Sequence, residues 1–382
     1  MMWTHVIDGF MKQDKPYGMG DFRIKGNTFI SMKLTDPELT DKPITDVQRK
    51  DPDFVPIPTE PWMNNVTEIN NRSTVRFFNG TLDNSAHAKT MEMPAQFMSW
   101  WVSDDWRTLY LGTEWQDYSK ARDGYVEPER YKLFKSTDAG HSWQPLKWPG
   151  MDSNGRILFA NQQLGYIVGA GPIVRRTING GYSWYNVQLP PLALDAKDSP
   201  GKSFDMAYVD SKATLWFSVY TKRDVHHPLS SLVYSIGVND SKPTFRFALP
   251  QMTASDLKID ASGRIFLLVN QGLPQDINKP GDGDRKRPNA VLMWDGKDLH
   301  TLKTFNDNVR ALALYQLKNG TLAVDATIGD VMTSDTLFVS HDSGHSWDKQ
   351  DEGGSAEGMY FNPQTSERWR VSVFGLYKRV VE

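Results

Sequence analysis

The sequence predicts an all-β protein, folded as a single β-propeller domain of four-stranded blades over residues 1–382. Two observations carry this prediction. Short runs rich in Val, Ile, Phe, Tyr and Trp are bounded by Gly, Asn and Asp, which is typical of β-strands. Four such runs recur about every 40–55 residues, which is the period of a propeller blade. No long segment has the 3.6-residue period of a helix.

The four-strand pattern occurs five times between residues 95 and 350. The predicted strands are 95–102, 108–115, 131–136 and 142–148; 156–160, 166–169, 173–177 and 183–189; 204–209, 214–220, 231–236 and 244–249; 256–260, 264–270, 289–294 and 300–305; 309–317, 321–326, 336–340 and 346–350. Residues 17–85 hold one divergent blade, with strands at 22–25, 28–33 and 73–78. Residues 356–381 supply three further strands. We expect the N-terminal strand at 4–10 to complete that last set and to close the ring. The expected number of blades is seven, with six as the alternative.

Residues 35–62 interrupt the repeat with an acidic stretch that contains six prolines. Proline cannot donate a hydrogen bond to a sheet, so this segment is expected to be an extended surface loop. It is either a tolerated insertion or an arm that contacts a partner.

The composition excludes several classes of function. A net charge of −3 and a sequence pI near 6.3 give no strong field for nucleic acid or anionic lipid. The absence of Cys excludes disulfides, Cys-based zinc sites, iron–sulfur clusters and thiol nucleophiles. No apolar run reaches the roughly 18 residues of a membrane span. We expect no metal and no cofactor.

The compartment is left open by the sequence. The first ten residues lack the basic start and apolar stretch of a signal peptide. The protein is periplasmic or extracellular if a signal peptide has been removed, and otherwise cytoplasmic.

Three segments share the spacing S/T-x-D/N-x-G-x-x-W. Its fixed positions are Ser136, Asp138, Gly140 and Trp143; Thr177, Asn179, Gly181 and Trp184; and Ser340, Asp342, Gly344 and Trp347. The Asp or Asn side chain is expected to accept backbone N–H groups of its own turn, and the Gly supplies a backbone angle that other residues resist. The Trp is expected to be buried against the neighbouring sheet.

These three segments resemble the Asp-box of the bacterial neuraminidase repeat. The resemblance implies a β-propeller of the sialidase-fold type, with each box as a structural turn between the third and fourth strands of a blade. Residues 165–184 also resemble the blade signature of photosystem II assembly-factor propellers.

The long connections follow one rule, since each lies between the second and third strands of its blade. They are residues 116–130, 221–230, 271–288 and 329–335, and we expect 35–62 to be equivalent to them. In a propeller such loops emerge on one face, opposite the box turns. Tyr, Trp and Arg are the residue types of interface hot spots. We therefore expect this face to bind a partner through Trp115, Tyr118, Arg122, Tyr125, Arg223, His226 and Arg285.

Two functions remain open. Asp-box propellers include assembly factors and bacterial immunity proteins, so the leading hypothesis is a non-catalytic propeller that binds a protein partner, for example a secreted toxin. The alternative is a sialidase-like glycoside hydrolase with a glycan ligand, because the resemblance brings the sialidase fold with it. Its weak catalytic candidates are Arg23, Glu114, Asp117 and Tyr360, of which Arg23 lies in a partial match to the family's F/Y-R-I-P motif.

Overall fold

The protein is described from a computed structural model. The residues described are 4–8, 22–35, 39–40, 68–69, 74–81, 88–94, 96–116, 128–149, 155–169, 173–189, 204–220, 230–271, 289–306, 308–317, 319–329, 334–351, 358–362, 365–372 and 375–380. They form β-strands and turns and contain no helix. The prediction of an all-β propeller of four-stranded blades is confirmed.

Thirty strands follow one another in the part of the chain that the structure describes. They are β1 (Thr4–Asp8), β2 (Phe22–Lys25), β3 (Thr28–Thr35), β4 (Leu39–Thr40), β5 (Glu68–Ile69), β6 (Thr74–Thr81), β7 (Ala88–Pro94), β8 (Gln96–Val102), β9 (Leu109–Gln116), β10 (Pro128–Ser136), β11 (Gln144–Leu146), β12 (Gly155–Phe159), β13 (Gly165–Gly169), β14 (Ile173–Thr177), β15 (Tyr185–Val187), β16 (Phe204–Val209), β17 (Leu215–Tyr220), β18 (Ser231–Ile236), β19 (Thr244–Leu249), β20 (Met252–Ile259), β21 (Ile265–Gln271), β22 (Asn289–Trp294), β23 (Leu299–Thr304), β24 (Val309–Gln316), β25 (Leu322–Ile328), β26 (Ser334–Ser340), β27 (Asp348–Asp351), β28 (Gly358–Asn362), β29 (Glu367–Ser372) and β30 (Gly375–Val380).

The strands pair in antiparallel order within each sheet. The four-stranded sheets are β2-β3-β6-β7, β8-β9-β10-β11, β12-β13-β14-β15, β16-β17-β18-β19, β20-β21-β22-β23, β24-β25-β26-β27 and β1-β30-β29-β28. A two-stranded pair of β4 and β5 lies in the connection between β3 and β6. Neighbouring strands within the four-stranded sheets are consecutive in the chain, as expected of a repeated meander, except in the pairs β3–β6 and β1–β30.

The propeller has six blades, so the expected number of seven is wrong and the alternative of six is correct. Hydrogen bonding nevertheless arranges the described strands into seven four-stranded sheets. The sequence count assigned one blade to every set of four strands. A blade must also repeat the packing of its neighbours around the propeller, and strand counting does not test that condition.

The N-terminal strand β1 pairs with β30, with Thr4 opposite Lys378 and Asp8 opposite Gly375. It lies at one edge of its sheet, next to β30, and it carries an irregularity in register between His5 and Ile7. A similar irregularity occurs in β8, β16, β20 and β24. Closure of the ring by β1 remains a prediction.

The chain divides into two compact units. The first comprises Met1–Ile157, Glu357–Tyr360 and Trp369–Arg379, and the second comprises Leu158–Ala356, Phe361–Arg368 and Val380–Glu382. The description of residues 1–382 as one domain remains a prediction.

The core of the second unit lies between successive sheets. One cluster joins Val174 and Val187 to Phe217 and Tyr234, across the sheets β12–β15 and β16–β19. Further clusters join β16–β19 to β20–β23 and β20–β23 to β24–β27. The sheets β16–β19 and β20–β23 are apolar on both faces because each is covered on both sides by a neighbouring sheet. In the first unit, Ile30 of β3 packs against Trp100 and Leu111 of β8 and β9.

Candidate protein-binding surface

The first of the three motif turns, 136–143, is held by its own side chains. Ser136 Oγ accepts a hydrogen bond from Gly140 N at 2.8 Å and donates to Asp138 Oδ1 at 2.8 Å. Asp138 also accepts from Ser142, from the backbone N at 2.9 Å and from Oγ at 2.5 Å. Trp143 Nε1 donates to the Gly140 carbonyl at 2.9 Å. The fixed residues of the motif therefore satisfy one another locally.

The second turn, 177–184, has the same network with a neutral centre. Thr177 Oγ1 accepts from Gly181 N at 2.9 Å, and Asn179 Oδ1 accepts from Ser183 N at 2.9 Å. Asn179 Nδ2 donates to Ser183 Oγ at 2.8 Å, so the amide takes the place of the carboxylate. Trp184 Nε1 donates to the Gly181 carbonyl at 3.0 Å.

The third turn, 340–347, repeats the first one. Ser340 Oγ accepts from Gly344 N at 2.7 Å, and Asp342 accepts from the backbone N of Ser346 at 2.8 Å and from its Oγ at 2.6 Å. Trp347 Nε1 donates to the Gly344 carbonyl at 3.0 Å. The backbone also agrees, since the residue before the fixed glycine has φ of 59° at Ala139, 67° at Gly180 and 59° at Ser343. The three turns are thus one scaffold in three copies.

The two carboxylates of this scaffold are held in their ionised form. Hydrogen bonds from the Ser142 hydroxyl and backbone N lower the pKa of Asp138 from 3.8 to about 2. The equivalent bonds from Ser346 lower the pKa of Asp342 well below its usual range. Because both folded-state pKa values are depressed, the stabilisation is present above the unfolded pKa near 3.8 and is lost as the pH falls through the folded pKa.

We therefore expect the stability advantage of the unsubstituted protein over Asp138→Asn to disappear on acidification. The second turn shows that asparagine fits this network, so the variant should fold and should lack only the charge-dependent part. Urea midpoints of both proteins, measured from neutral pH down to about 2, should differ at neutral pH and converge in acid. A difference that stays constant over this range would contradict the role of the Asp138 charge.

The three turns carry different residue types at their solvent-facing positions. In every copy of the eight-residue motif, the residues at its second and sixth positions are exposed, and so is the residue that follows the tryptophan. They are Thr137, His141 and Gln144 in the first turn, His341, His345 and Asp348 in the third, and Ile178, Tyr182 and Tyr185 in the second. Since the scaffold is the same, the turn itself does not require large apolar side chains at these positions. Their presence in the second turn alone calls for another cause.

The neighbouring sheet extends this apolar surface. Arg176 lies opposite Tyr185, and its Nη1 donates to the carbonyl oxygens of Val238 and Asp240, both at 2.9 Å. These bonds attach the sheet β12–β15 to the hairpin between β18 and β19. On β19 the ring of Phe245 lies 5.7 Å from that of Tyr234, which belongs to the core cluster shared with Val187.

We call Ile178, Tyr182, Tyr185, Val238 and Phe245 the outer seam. Their exposed fractions are 56%, 57%, 52%, 41% and 51%. They are five of the seven large hydrophobic side chains that are exposed among the described residues, so the exposure is concentrated rather than scattered. A concentrated exposed apolar surface on a soluble protein marks an interaction site.

The sequence did not point to the outer seam. The motif directs attention to its fixed positions, whereas the seam occupies the variable ones. The available signal was a comparison of the three copies with each other, which shows polar residues in two and apolar residues in one.

The residues predicted as a site lie elsewhere. Trp115 and Glu114 are on β9, with Trp115 opposite Arg130 and Glu114 opposite Tyr131 and Gln96, and Tyr360 is on β28. Arg23 is on β2, and its guanidinium carbon lies 5.1 Å from the centre of the Trp100 ring. The remaining predicted residues, Asp117, Tyr118, Arg122, Tyr125, Arg223, His226 and Arg285, lie outside the described residues, as does most of 35–62.

One buried charged cluster was not predicted at all. Arg368 on β29 is fully buried and pairs through Nη2 with Asp325 Oδ1 on β25. Asp335 on β26 is buried too, and its charge acts on Asp325. Burial raises the pKa of Asp325, Arg368 opposes that shift and Asp335 adds to it. All three residues of the cluster belong to the second unit.

Two searches of the described residues found nothing. None of them forms a helix long and apolar enough to cross a membrane. Within the same part of the chain, no group of three or more His, Asp and Glu side chains is placed to hold a metal ion.

Comparison with known proteins gives structural neighbours only, because no family model and no curated protein matches the chain. One neighbour is YCF48 bound to D1 peptide, with 11% identity, a TM-score of 0.50 and coverage of 80% of this chain and 86% of that one. Another is a PL25 ulvan lyase, with 9% identity, a TM-score of 0.50 and coverage of 91% and 96%. A third is oligogalacturonate lyase from Vibrio parahaemolyticus, with 8% identity, a TM-score of 0.50 and coverage of 92% and 79%. At such identities the similarity shows the β-propeller fold alone.

Proposed function

We propose that this chain is a non-catalytic β-propeller that binds a protein partner. The observation that carries the proposal is the outer seam, where one of three equivalent turns presents Ile178, Tyr182 and Tyr185 to solvent. Tyrosine supplies a large contact area with few rotatable bonds, and it is enriched at interface hot spots. A partner that covers the seam would remove five apolar side chains from water.

The resemblance and one structural neighbour support a protein as the partner. YCF48, a structural neighbour, was solved with a bound peptide. We assign the three turns to the Asp-box class because their networks join the fixed residues of the motif. An assembly factor or an immunity protein that neutralises a secreted toxin is the role we propose. The loop-face residues predicted above, such as Trp115 and Arg223, are proposed as additional contacts.

The decisive experiment exchanges the exposed residues of the second turn for those of the first. The variant carries Ile178→Thr, Tyr182→His and Tyr185→Gln, which keeps the hydrogen-bond network intact. With tagged protein as bait in an extract of the source organism, we expect capture of the principal partner to fall about tenfold or more, since aromatic hot spots each contribute above roughly 1 kcal/mol.

A matched control changes the first turn at the same positions, with Thr137→Ala, His141→Ala and Gln144→Ala. This variant should capture the partner as well as the unsubstituted protein does. Equal capture by all three proteins would contradict the assignment of binding to the outer seam. Unchanged melting temperatures would show that any loss of capture is not due to unfolding.

The hydrolase alternative predicts enzymatic turnover of glycosides instead of partner binding. The resemblance nominates Arg23, whose guanidinium stacks on Trp100, an arrangement that supplies a cation–π contact in the folded protein. If the chain were a sialidase-like hydrolase, it would turn over fluorogenic sialosides or related glycosides, and Arg23→Ala would abolish that turnover. Measurable turnover would refute the non-catalytic part of the proposal.

A further inference from the structure

The outermost strand beside the outer seam is unusually open to pairing. In the second unit the sheets end at β15, β19, β23 and β27. β15 is only three residues long, β27 reads Asp-Lys-Gln-Asp, and β23 carries His300 and Lys303. Short length and charge are the usual means of protecting a sheet edge from unwanted pairing. β19 reads Thr-Phe-Arg-Phe-Ala-Leu over six residues and has one charged residue.

The geometry of β19 turns one aromatic side chain to each side of its sheet. A register irregularity opposite Val233 and Tyr234 makes Arg246 the extra residue of the strand. Phe247 is buried on one face, 4.7 Å from the Trp294 ring, while Phe245 lies on the other face beside Tyr234. The exposed half of the strand, Thr244 to Arg246, therefore borders the outer seam.

Two cations and one carboxylate are exposed at this edge, so its net charge is positive. Arg246 and Lys242 are exposed, and Arg246 is held by a 2.7 Å hydrogen bond from Nε to Ser235 Oγ with its guanidinium over the Trp216 ring. The nearby carboxylate of Asp240 already accepts a hydrogen bond from Gly237 N at 2.8 Å. An incoming strand that carries carboxylates would complement this edge.

We propose that an extended, acidic segment of a protein partner adds to β19 as a further strand. Alternate residues of β19 direct their N–H and C=O groups away from β18, and these groups would bond to the segment. An apolar side chain of the segment would pack against Phe245 and the outer seam, and a neighbouring carboxylate would meet Arg246. This inference rests on the proposed protein-binding function and names the mode of binding.

The experiment uses random peptides displayed on phage, of about 6–10 residues to match the length of a strand. The full chain is the bait, and we expect enrichment of peptides that alternate apolar and acidic residues. Hydrogen exchange with the strongest peptide should then slow at the backbone amides of β19, residues 244–249, and should not change at the equivalent edge strand β23, residues 299–304.

Two variants make the test specific. Phe245→Lys places a charge on the proposed edge and should weaken peptide binding about tenfold or more. Thr301→Lys places the same charge on β23 at an exposed position and should leave binding unchanged. The melting temperatures of both variants should match that of the unsubstituted protein, since both sites are exposed.

Three results would overturn the inference. They are no enriched peptide, an enriched peptide that leaves exchange at β19 unchanged, and a concentration-dependent dimer abolished by Phe245→Lys, which would make a second copy the occupant. The second-turn exchange described above tests protein binding separately. Loss of the natural partner in that variant, without protection of β19, would leave the proposed function standing and reject strand addition.

Discussion

Replacement of Arg368 by methionine is expected to lower the free energy of unfolding by about 3–5 kcal/mol. The guanidinium is fully buried and pairs with Asp325, and Asp335 is buried close enough to affect the Asp325 carboxyl. Among the described residues, Arg368 is the cation that the structure places against Asp325, and its removal leaves the Asp325 carboxylate buried in a medium that solvates charge poorly. The urea midpoint and slope give the measurement.

Two controls separate the buried charge from arginine in general. Arg310 lies exposed on β24, and Arg310→Met should change stability by less than about 0.5 kcal/mol. The double variant Arg368→Met with Asp325→Leu should recover a large part of the loss, because it removes the uncompensated charge and refills the site with apolar atoms.

The pH dependence of Arg368→Met gives an independent check. Without the guanidinium, burial and Asp335 act on Asp325 unopposed, so its folded-state pKa rises further above the unfolded value. A raised carboxyl pKa makes the folded state less stable as the pH rises through it and more stable below the unfolded pKa. The stability that Arg368→Met loses relative to the unsubstituted protein should therefore be smaller in mild acid than at neutral pH. A small deficit that does not depend on pH would show that the pair contributes little.

The regular part of the fold was predictable because its determinants are local. Short runs rich in Val, Ile, Phe, Tyr and Trp predicted β12 to β27 to within a few residues. β7, residues 88–94, was missed because its sequence, Ala-Lys-Thr-Met-Glu-Met-Pro, contains none of these residue types. The number of blades was wrong because it depends on packing between sheets, which no single strand encodes.

The same distinction applies to the side chains. The hydrogen bonds of Asp138 and Asp342 were predictable, since donor and acceptor lie four residues apart. The pair of Arg368 and Asp325 spans 43 residues, and nothing in one sequence connects the two. The tryptophans fall between these cases. Their place in the turn was correct, but Trp143, Trp184 and Trp347 are only partly buried, because the turn holds each indole at the margin of the sheet.

Trp347→Ala is expected to lower the free energy of unfolding by about 2–4 kcal/mol, a range set by the partial burial of the indole. Its indole packs on the cluster that includes Phe266, Leu314 and Phe338, and its Nε1 donates to the Gly344 carbonyl. A fully buried tryptophan costs about 3–5 kcal/mol when truncated to alanine, and the exposed edge of this one lowers the figure.

Two further variants divide that cost into packing and hydrogen bonding. Trp347→Phe keeps most of the aromatic contact and loses the N–H donor, so it should lower the free energy of unfolding by about 1 kcal/mol. Tyr182→Ala removes an aromatic ring of similar size from the equivalent scaffold, but that ring is 57% exposed and should contribute less than about 0.5 kcal/mol. If Trp347→Ala and Tyr182→Ala were equally mild in chemical denaturation, Trp347 would not anchor its turn to the core. A large loss for Trp347→Ala and a small one for Tyr182→Ala would instead show that the tryptophan stabilises the fold and that the exposed tyrosine does not.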